Sequence, residues 1–321
     1  MTRNASLLDR LTAASTKASR DAARALYGAI PGKQLMFEPL RGKLPKKVFQ
    51  HLYFQGTISI PLGSRSFSMR HYGYSIENAL FWGGVDTGWE PSSLAVWRTL
   101  APSARGVLDI GANTGLFALV AQALNPQASV VAVEPVARIF EKLAANAALN
   151  AMNIVCICEG VSDGVGLGSF VDPGTDHFYS ITISRGDAPP EDGGGSRRTV
   201  ALTSIDALVE RLVLSHVDLI KLDVESHEPA ALRGASQTLS RHRPTLLIEI
   251  WNDNVGRAVD DILRPVGYLG YRIDERERRV TLAPVTRTSG TANFLFVPSE
   301  QRAAIESRLR NESPLPLSIS G

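Results

Sequence analysis

Asp109, Glu134, Asp223 and Glu249 stand in or directly after short apolar runs, and Glu225, His227 and Glu228 follow Asp223 within five residues. Asp109 lies within Val107-Leu108-Asp109-Ile110, ahead of the turn Gly111-Ala112-Asn113-Thr114-Gly115. Val130-Val131-Ala132-Val133 runs into Glu134, Leu219-Ile220-Lys221-Leu222 into Asp223, and Leu246-Leu247-Ile248 into Glu249. Runs of this kind read as buried parallel strands, and open α/β sheets bind ligands just beyond the carboxyl ends of their strands. One site could therefore gather these groups.

The glycines in the first turn decide what it holds. A dinucleotide fingerprint is G-x-G-x-x-G, with the second glycine admitting the pyrophosphate. Here those later positions are Asn113 and Leu116, which leaves Gly111 and Gly115 in a G-x-x-x-G turn. S-adenosylmethionine (SAM) has no pyrophosphate; it offers a carboxylate, an ammonium and a sulfonium. The turn, with Asn113 and Thr114, is placed to bind the carboxylate at a helix N-terminus. Asp109 would accept from the ammonium and Glu134 from the ribose hydroxyls. Ser162 and Asp163, after a third strand, would read the adenine amino group or else form a simple turn. SAM is the expected cofactor.

The second cluster carries acid–base chemistry. Methyl transfer to a hydroxyl needs alignment and a group that takes the proton. Asp223, Glu225 and His227 are the catalytic candidates: Asp223 is expected nearest the methyl, and His227 is the side chain that titrates near neutrality. Glu228 suits a helix N-terminus. Oxygen ligands of this type also suit a divalent metal; the spacing does not require one, and none is expected. Glu249, Trp82, Trp89, His177 and Tyr179 are the candidates for contact with the acceptor, the two tryptophans as surface rings able to stack on a sugar face.

These groups meet only if the chain forms a doubly wound, mostly parallel α/β sheet. From Val107 strands and helices alternate regularly, with helices at 115–124, 136–150, 204–213 and about 229–240. The expected sheet has seven strands, Asn293-Phe294-Leu295-Phe296-Val297 being the last one added. Residues 1–100 lack the alternation and read as an N-terminal cap on the substrate side. Residues 101–300 form the Rossmann-like domain, with a β insertion at about 165–203 whose tip is Gly- and Pro-rich, and 301–321 form a C-terminal helix and tail. The first thirty residues suggest an amphipathic helix packed on the body.

Composition narrows the classes. The chain has 321 residues, 44% hydrophobic and 21% charged, ample for a large core. A net charge of +2 does not favour nucleic acid as a partner; a small-molecule or glycan hydroxyl is the expected acceptor. Cys156 and Cys158, two apart on a strand, are poorly set for a disulfide and read as thiols of a reducing compartment. No apolar run reaches the ~18 residues of a membrane span, so a cytoplasmic location is expected. No motif speaks to oligomeric state.

Taken together, the motifs resemble the FkbM family of SAM-dependent methyltransferases. The resemblance is carried by Asp109 to Gly115, Val133-Glu134-Pro135, Asn146 to Asn150, Val161-Ser162-Asp163, Leu202 to Asp206, Ile220 to Glu225, Glu228, Gly234-Ala235 and Leu247 to Ile250. It spans residues 85–298 and implies a class I methyltransferase fold that methylates a hydroxyl on a carbohydrate or polyketide-like natural product. One departure stands out: the family usually has Gly-Ala after D-V-E, where this chain has Ser226-His227. Two competing readings are an NAD(P)-dependent oxidoreductase, against which Asn113 and the acids at 223–228 argue, and a non-catalytic methyltransferase-like binding module, against which the intact strand-end acids argue.

Overall fold

The computed structural model describes residues 30–172, 184–185, 196–285 and 292–320. The expected first helix, residues 187–195 of the insertion tip, His177 and Tyr179 lie outside the described residues.

The N-terminal part holds short helices α1 (Lys33–Phe37) and α2 (Lys46–Phe49), a hairpin β1 (Gly56–Leu62) and β2 (Arg65–His71), then helices α3 (Ser75–Thr87) and α4 (Pro91–Leu100). Ile58, Ile60, Leu62, Phe67 and Met69 alternate with exposed residues, so one face of the hairpin is buried. The outer edge of β2 is covered by two asparagines one helical turn apart. Asn146 Oδ1 accepts from the Arg70 amide at 2.9 Å, and Asn150 Oδ1 from the Ser68 amide at 2.7 Å. Asn146 Nδ2 also donates to the Thr114 carbonyl at 2.8 Å, so the hairpin is tied directly to the glycine turn.

The α/β part runs β3 (Gly106–Ile110), α5 (Leu116–Leu124), β4 (Ser129–Val133), α6 (Ala137–Leu149), β5 (Ile154–Ile157), β6 (Gly160–Val161), β7 (Gly166–Asp172), β8 (Ser184–Arg185) and β9 (Ser196–Thr203). It continues with α7 (Ile205–Arg211), β10 (Leu219–Leu222), α8 (Glu228–Arg233), α9 (Ser236–Arg241), β11 (Thr245–Ile250), α10 (Asp253–Leu263), β12 (Tyr268–Asp274), β13 (Arg279–Leu282), β14 (Ala292–Pro298), α11 (Arg302–Asn311) and β15 (Ser318–Ser320). The main sheet has the order β15-β13-β12-β14-β11-β10-β3-β4-β5. Strands β5, β4, β3, β10 and β11 are parallel, and β14 inserts antiparallel between β11 and β12. The expected seven strands are thus present, and β13 and β15 widen the sheet to nine. The C-terminal tail supplies one of the two, since β15 pairs with β13.

Two further differences have local causes. The insertion strands β7, β8 and β9 join β6 in a separate four-stranded sheet, β6-β9-β7-β8. The single helix expected over 229–240 is broken into α8 and α9. Gly234 approaches the Ser162 carbonyl so closely that a Cβ there would sit 2.2 Å from it. Asp206 then caps the restart: its carboxylate accepts from the Gln237 and Thr238 amides at 2.9 and 2.8 Å. Both cysteines are free thiols. No helix among the described residues is long and apolar enough to cross a membrane.

Candidate functional site

A cleft of about 270 Å³ opens at the carboxyl ends of β3, β4, β10 and β11. At the β3–β4 end backbone groups organise it. Gly111 turns with φ 77°, and a Cβ there would lie 1.8 Å from the Asp223 carbonyl oxygen, so only glycine lets β3 and β10 close here. Gly115 (φ 95°) ends the turn against Leu143, and Asn113 holds a φ of 51° while its side chain accepts from the Thr114 amide at 2.8 Å. Of these, Gly111, Asn113 and Thr114 line the cleft.

Each acid at this end is held by amides. Glu134 Oε2 accepts from the Asn113 amide and Oε1 from the Val136 amide, both at 3.0 Å. Asp109 Oδ2 accepts from the Ala118 amide at 2.9 Å, while the buried Oδ1 has no partner among the described residues. Burial raises Asp109 to about 6 and Glu134 to about 7, against the pull of those amides. The turn's own N–H groups are already used: Gly111 and Ala112 donate to the Val133 carbonyl, and Gly115 to that of Ala112. Leu116 and Phe117, first in α5 and lining the cleft, are the amides left to meet an anion.

Side-chain charge organises the β10–β11 end. Lys221 is buried inside a strand, with Nζ 2.7 Å from Asp223 Oδ2 and 4.8 Å from the centre of the Phe117 ring. Burial opposes its charge, but Asp223, Glu90, Asp109 and Glu249 around it outweigh burial and raise its pKa. Burial likewise favours the neutral form of Asp223. Lys221 and a hydrogen bond with Glu249 reverse that, and Asp223 is lowered. Glu249 bears the consequence: burial and the Asp223 charge push it up, which favours its neutral form beside the ionised Asp223. Trp251 Nε1 donates to Glu249 at 2.9 Å. Carboxylate oxygens of Asp223, Glu225 and Glu249 lie within 4.8 Å of one another, a spacing a cation can bridge. The Lys221 ammonium already provides a positive charge there.

Other expected residues fall elsewhere. His227 turns away from the cleft, its Nε2 3.0 Å from the Ser162 hydroxyl; Ser162 in turn is 3.3 Å from Asp163. These three form a neighbouring polar set, while Val161 beside them lines the cleft. Trp82 corrects the expectation of a surface ring. It is 2% exposed, donates from Nε1 to the Leu52 carbonyl and to Asn78, and packs among Phe37, Phe49 and Phe81. Trp89 does line the cleft. Among the cleft residues that reading the sequence for sites missed are Lys221, whose signal is a lone cation inside an apolar strand, and Glu90, contributed by the N-terminal part.

A family model described as the methyltransferase FkbM domain matches residues 109–273. The AMB antimetabolite synthetase AmbE of Pseudomonas aeruginosa is 28% identical over 198 residues, which is 50% of this chain and only 9% of that protein. Methyltransferase sdnD of Sordaria araneosa is 24% identical over 193 residues, 52% of this chain and 74% of that one. The FkbM methyltransferase structure from Methylobacillus flagellatus is similar at 18% identity and a TM-score of 0.37, covering 60% of this chain and 43% of that one. A SAM-dependent methyltransferase structure from Agrobacterium tumefaciens has 16% identity and a TM-score of 0.41, with 76% and 70% covered.

Proposed function

The chain belongs to the FkbM methyltransferase family, and from that premise we propose that it methylates a hydroxyl group of a carbohydrate or polyketide-like acceptor with SAM. The observation that carries this reading is one cleft with two unlike ends, a glycine turn with amide-held acids facing an ionised carboxylate beside a buried lysine. The residues fit the cofactor: the unpartnered Asp109 Oδ1 suits an ammonium, the Leu116 and Phe117 amides suit a carboxylate, and Glu134 suits ribose hydroxyls. When bound, SAM supplies a methyl carbon to the acceptor oxygen, whose lone pair forms the new bond while the broken bond's electrons stay on sulfur.

The chain's own work is to align the acceptor and receive its proton. Asp223 is ionised and stands at the end of β10, against the turn. Held low by Lys221, it is a weak base in the resting site. That suffices where the acceptor oxygen becomes acidic as its new bond forms, so the proton leaves late and passes to a carboxylate oxygen of Asp223. Trp89 is placed to cover an acceptor ring and exclude water.

The test is a screen of hydroxylated sugars and macrolides for methyl transfer, run with the wild type and Asp223→Asn. Turnover should fall by about 10²-fold or more in the variant, with binding of S-adenosylhomocysteine (SAH) intact. Full turnover by the variant would remove Asp223 from the chemistry.

A further inference from the structure

Glu90 is a carboxyl group that the α/β part does not itself supply. It stands directly before Pro91 with a φ of 41°, at the head of α4. Its Oε2 accepts from Asn293 Nδ2 at 3.0 Å. Asn293 on β14 is the register partner of Glu249 on β11, so that bond sets Glu90 beside the Asp223–Glu249 pair. The same side chain lines the cleft together with Trp89, Lys221 and Asp223. The position is braced from behind. Glu275, in the turn after β12, accepts from the Ser92 and Ser93 amides at 2.7 and 3.0 Å, which fixes the start of α4.

We propose that Glu90 is a cofactor-selecting residue: its carboxylate supplies the negative charge that recognises the cationic sulfonium of SAM and distinguishes it from the neutral thioether of SAH. This rests on the reading of the chain as a SAM-dependent methyltransferase. The charge balance of the cluster supports it. Lys221 offsets Asp223, and burial with the Asp223 charge favours the neutral form of Glu249, so Glu90 adds its charge to that of Glu225 at this end of the cleft. Burial raises Glu90 to about 7, opposed by Lys221 and reinforced by Asp223 and Glu275; Glu249 is also within its field. Glu90 therefore adds a negative charge to the cluster as pH rises through neutrality. Asp109 and Glu134 titrate in the same range, but they face parts that SAM and SAH share. The ratio of the two affinities isolates Glu90. Loss of the methyl removes the charge Glu90 attracts, so the site loosens its hold once transfer is done.

The experiment is calorimetric titration of the full chain with SAM and with SAH at pH 6 and pH 8, for wild type, Glu90→Gln and Glu134→Ala. Gln keeps an oxygen for Asn293 and removes only the charge. Glu90→Gln should weaken SAM at pH 8 by about tenfold, as expected for one lost charge contact at partly screened range, and leave SAH unchanged. The SAM-over-SAH preference of the wild type should grow from pH 6 to pH 8, and that growth should vanish in Glu90→Gln. Glu134→Ala should weaken both ligands alike. Equal effects of Glu90→Gln on both ligands, or none on either, would overturn the assignment of Glu90 while leaving the cofactor reading intact. A wild type that binds neither ligand would overturn the cofactor reading and this inference with it.

Discussion

The two ends of the cleft solve the same problem differently. Both bury acids, but at β3–β4 each carboxylate is held by backbone amides, Glu134 by those of Asn113 and Val136 and Asp109 by that of Ala118. At β10–β11 the carboxyls are held by other side chains: Lys221 on Asp223, Asp223 on Glu249, Asn293 on Glu90. Backbone donors are fixed once the turn folds, so the first end is pre-shaped for a constant ligand. Side-chain pairs can exchange protons and partners, so the second end is suited to a varying acceptor and to moving a proton.

The sharpest way to break this division is at the seam where the ends touch. Gly111 belongs to the backbone-built end, and a methyl group there would strike the Asp223 carbonyl of the other. It also holds φ 77°, which Ala adopts with strain. Gly111→Ala should cost about 3 kcal/mol or more and abolish SAH binding, read by chemical denaturation and calorimetry. A stable variant that binds normally would mean that the two ends need not close on each other.

A second contrast lies behind the glycine turn. Glu77 on α3 is fully buried, its carboxyl oxygens make no hydrogen bond of ordinary geometry among the described residues, and the Thr114 hydroxyl on the turn and the Lys142 charge are the groups that favour its ionised form. Burial raises it to about 7. Its folded value exceeds its unfolded one, so the native state binds the extra proton. The stability this proton provides is complete below about pH 4 and lost as pH rises through about 7. Glu134 and Glu228, also raised to about 7 by burial, act in the same direction. The melting temperature of the ligand-free protein should therefore fall from pH 5 to pH 8. Glu77→Gln, which cannot ionise, should be near neutral at pH 5 and stabilising by about 1–3 kcal/mol at pH 8. A pH-independent effect would show that Glu77 is not the buried titrating group.

The same division explains what could be read from residues alone. Asp109, the Gly111–Gly115 turn and Glu134 lie in one strand–turn–helix–strand unit, where spacing along the chain is spacing in space. Their positions in the cleft follow from local geometry. Seven strands were legible for the same reason, because apolar runs and intervening helices dictate a parallel core; the two added strands carry no such periodicity. The β10–β11 end was legible only where it is local. Asp223 and Glu249 end adjacent strands, but Glu90 arrives from far upstream and is held by Asn293, a contact that no pattern within either segment encodes. Trp82 and His227 show the limits of residue type. A tryptophan near glycines became core because Asn78 and the Leu52 carbonyl satisfied its N–H. A histidine beside three acids turned to Ser162 instead.

The smallest effect probes the one place where the chain departs from its family's usual pattern. After Asp223 the backbone takes two successive left-handed residues, Glu225 at φ 56° and Ser226 at φ 73°. The second is where the family resemblance leads to an expected glycine, the residue that occupies this region without a steric penalty. The serine side chain is exposed and does not line the cleft, so its conformation is maintained by the neighbouring ladder: the Asp223 amide donates to the Ile110 carbonyl, and the Val224 amide to the buried Glu228 carboxyl at 3.1 Å. Ser226→Gly relieves the left-handed strain in the folded state and adds freedom to the unfolded one. The first effect is of order 1–2 kcal/mol and the second roughly 0.5–1 kcal/mol against it. The expected net is a gain of about 0.5–1 kcal/mol, read as a rise of a few degrees in melting temperature, with SAM and SAH affinities unchanged because the backbone path of β10 is preserved. A loss of stability would mean that the serine hydroxyl holds the loop. A change in SAM affinity alone would mean that the strain at Ser226 sets the carboxylate of Asp223, and that the side-chain-built end depends on its backbone after all.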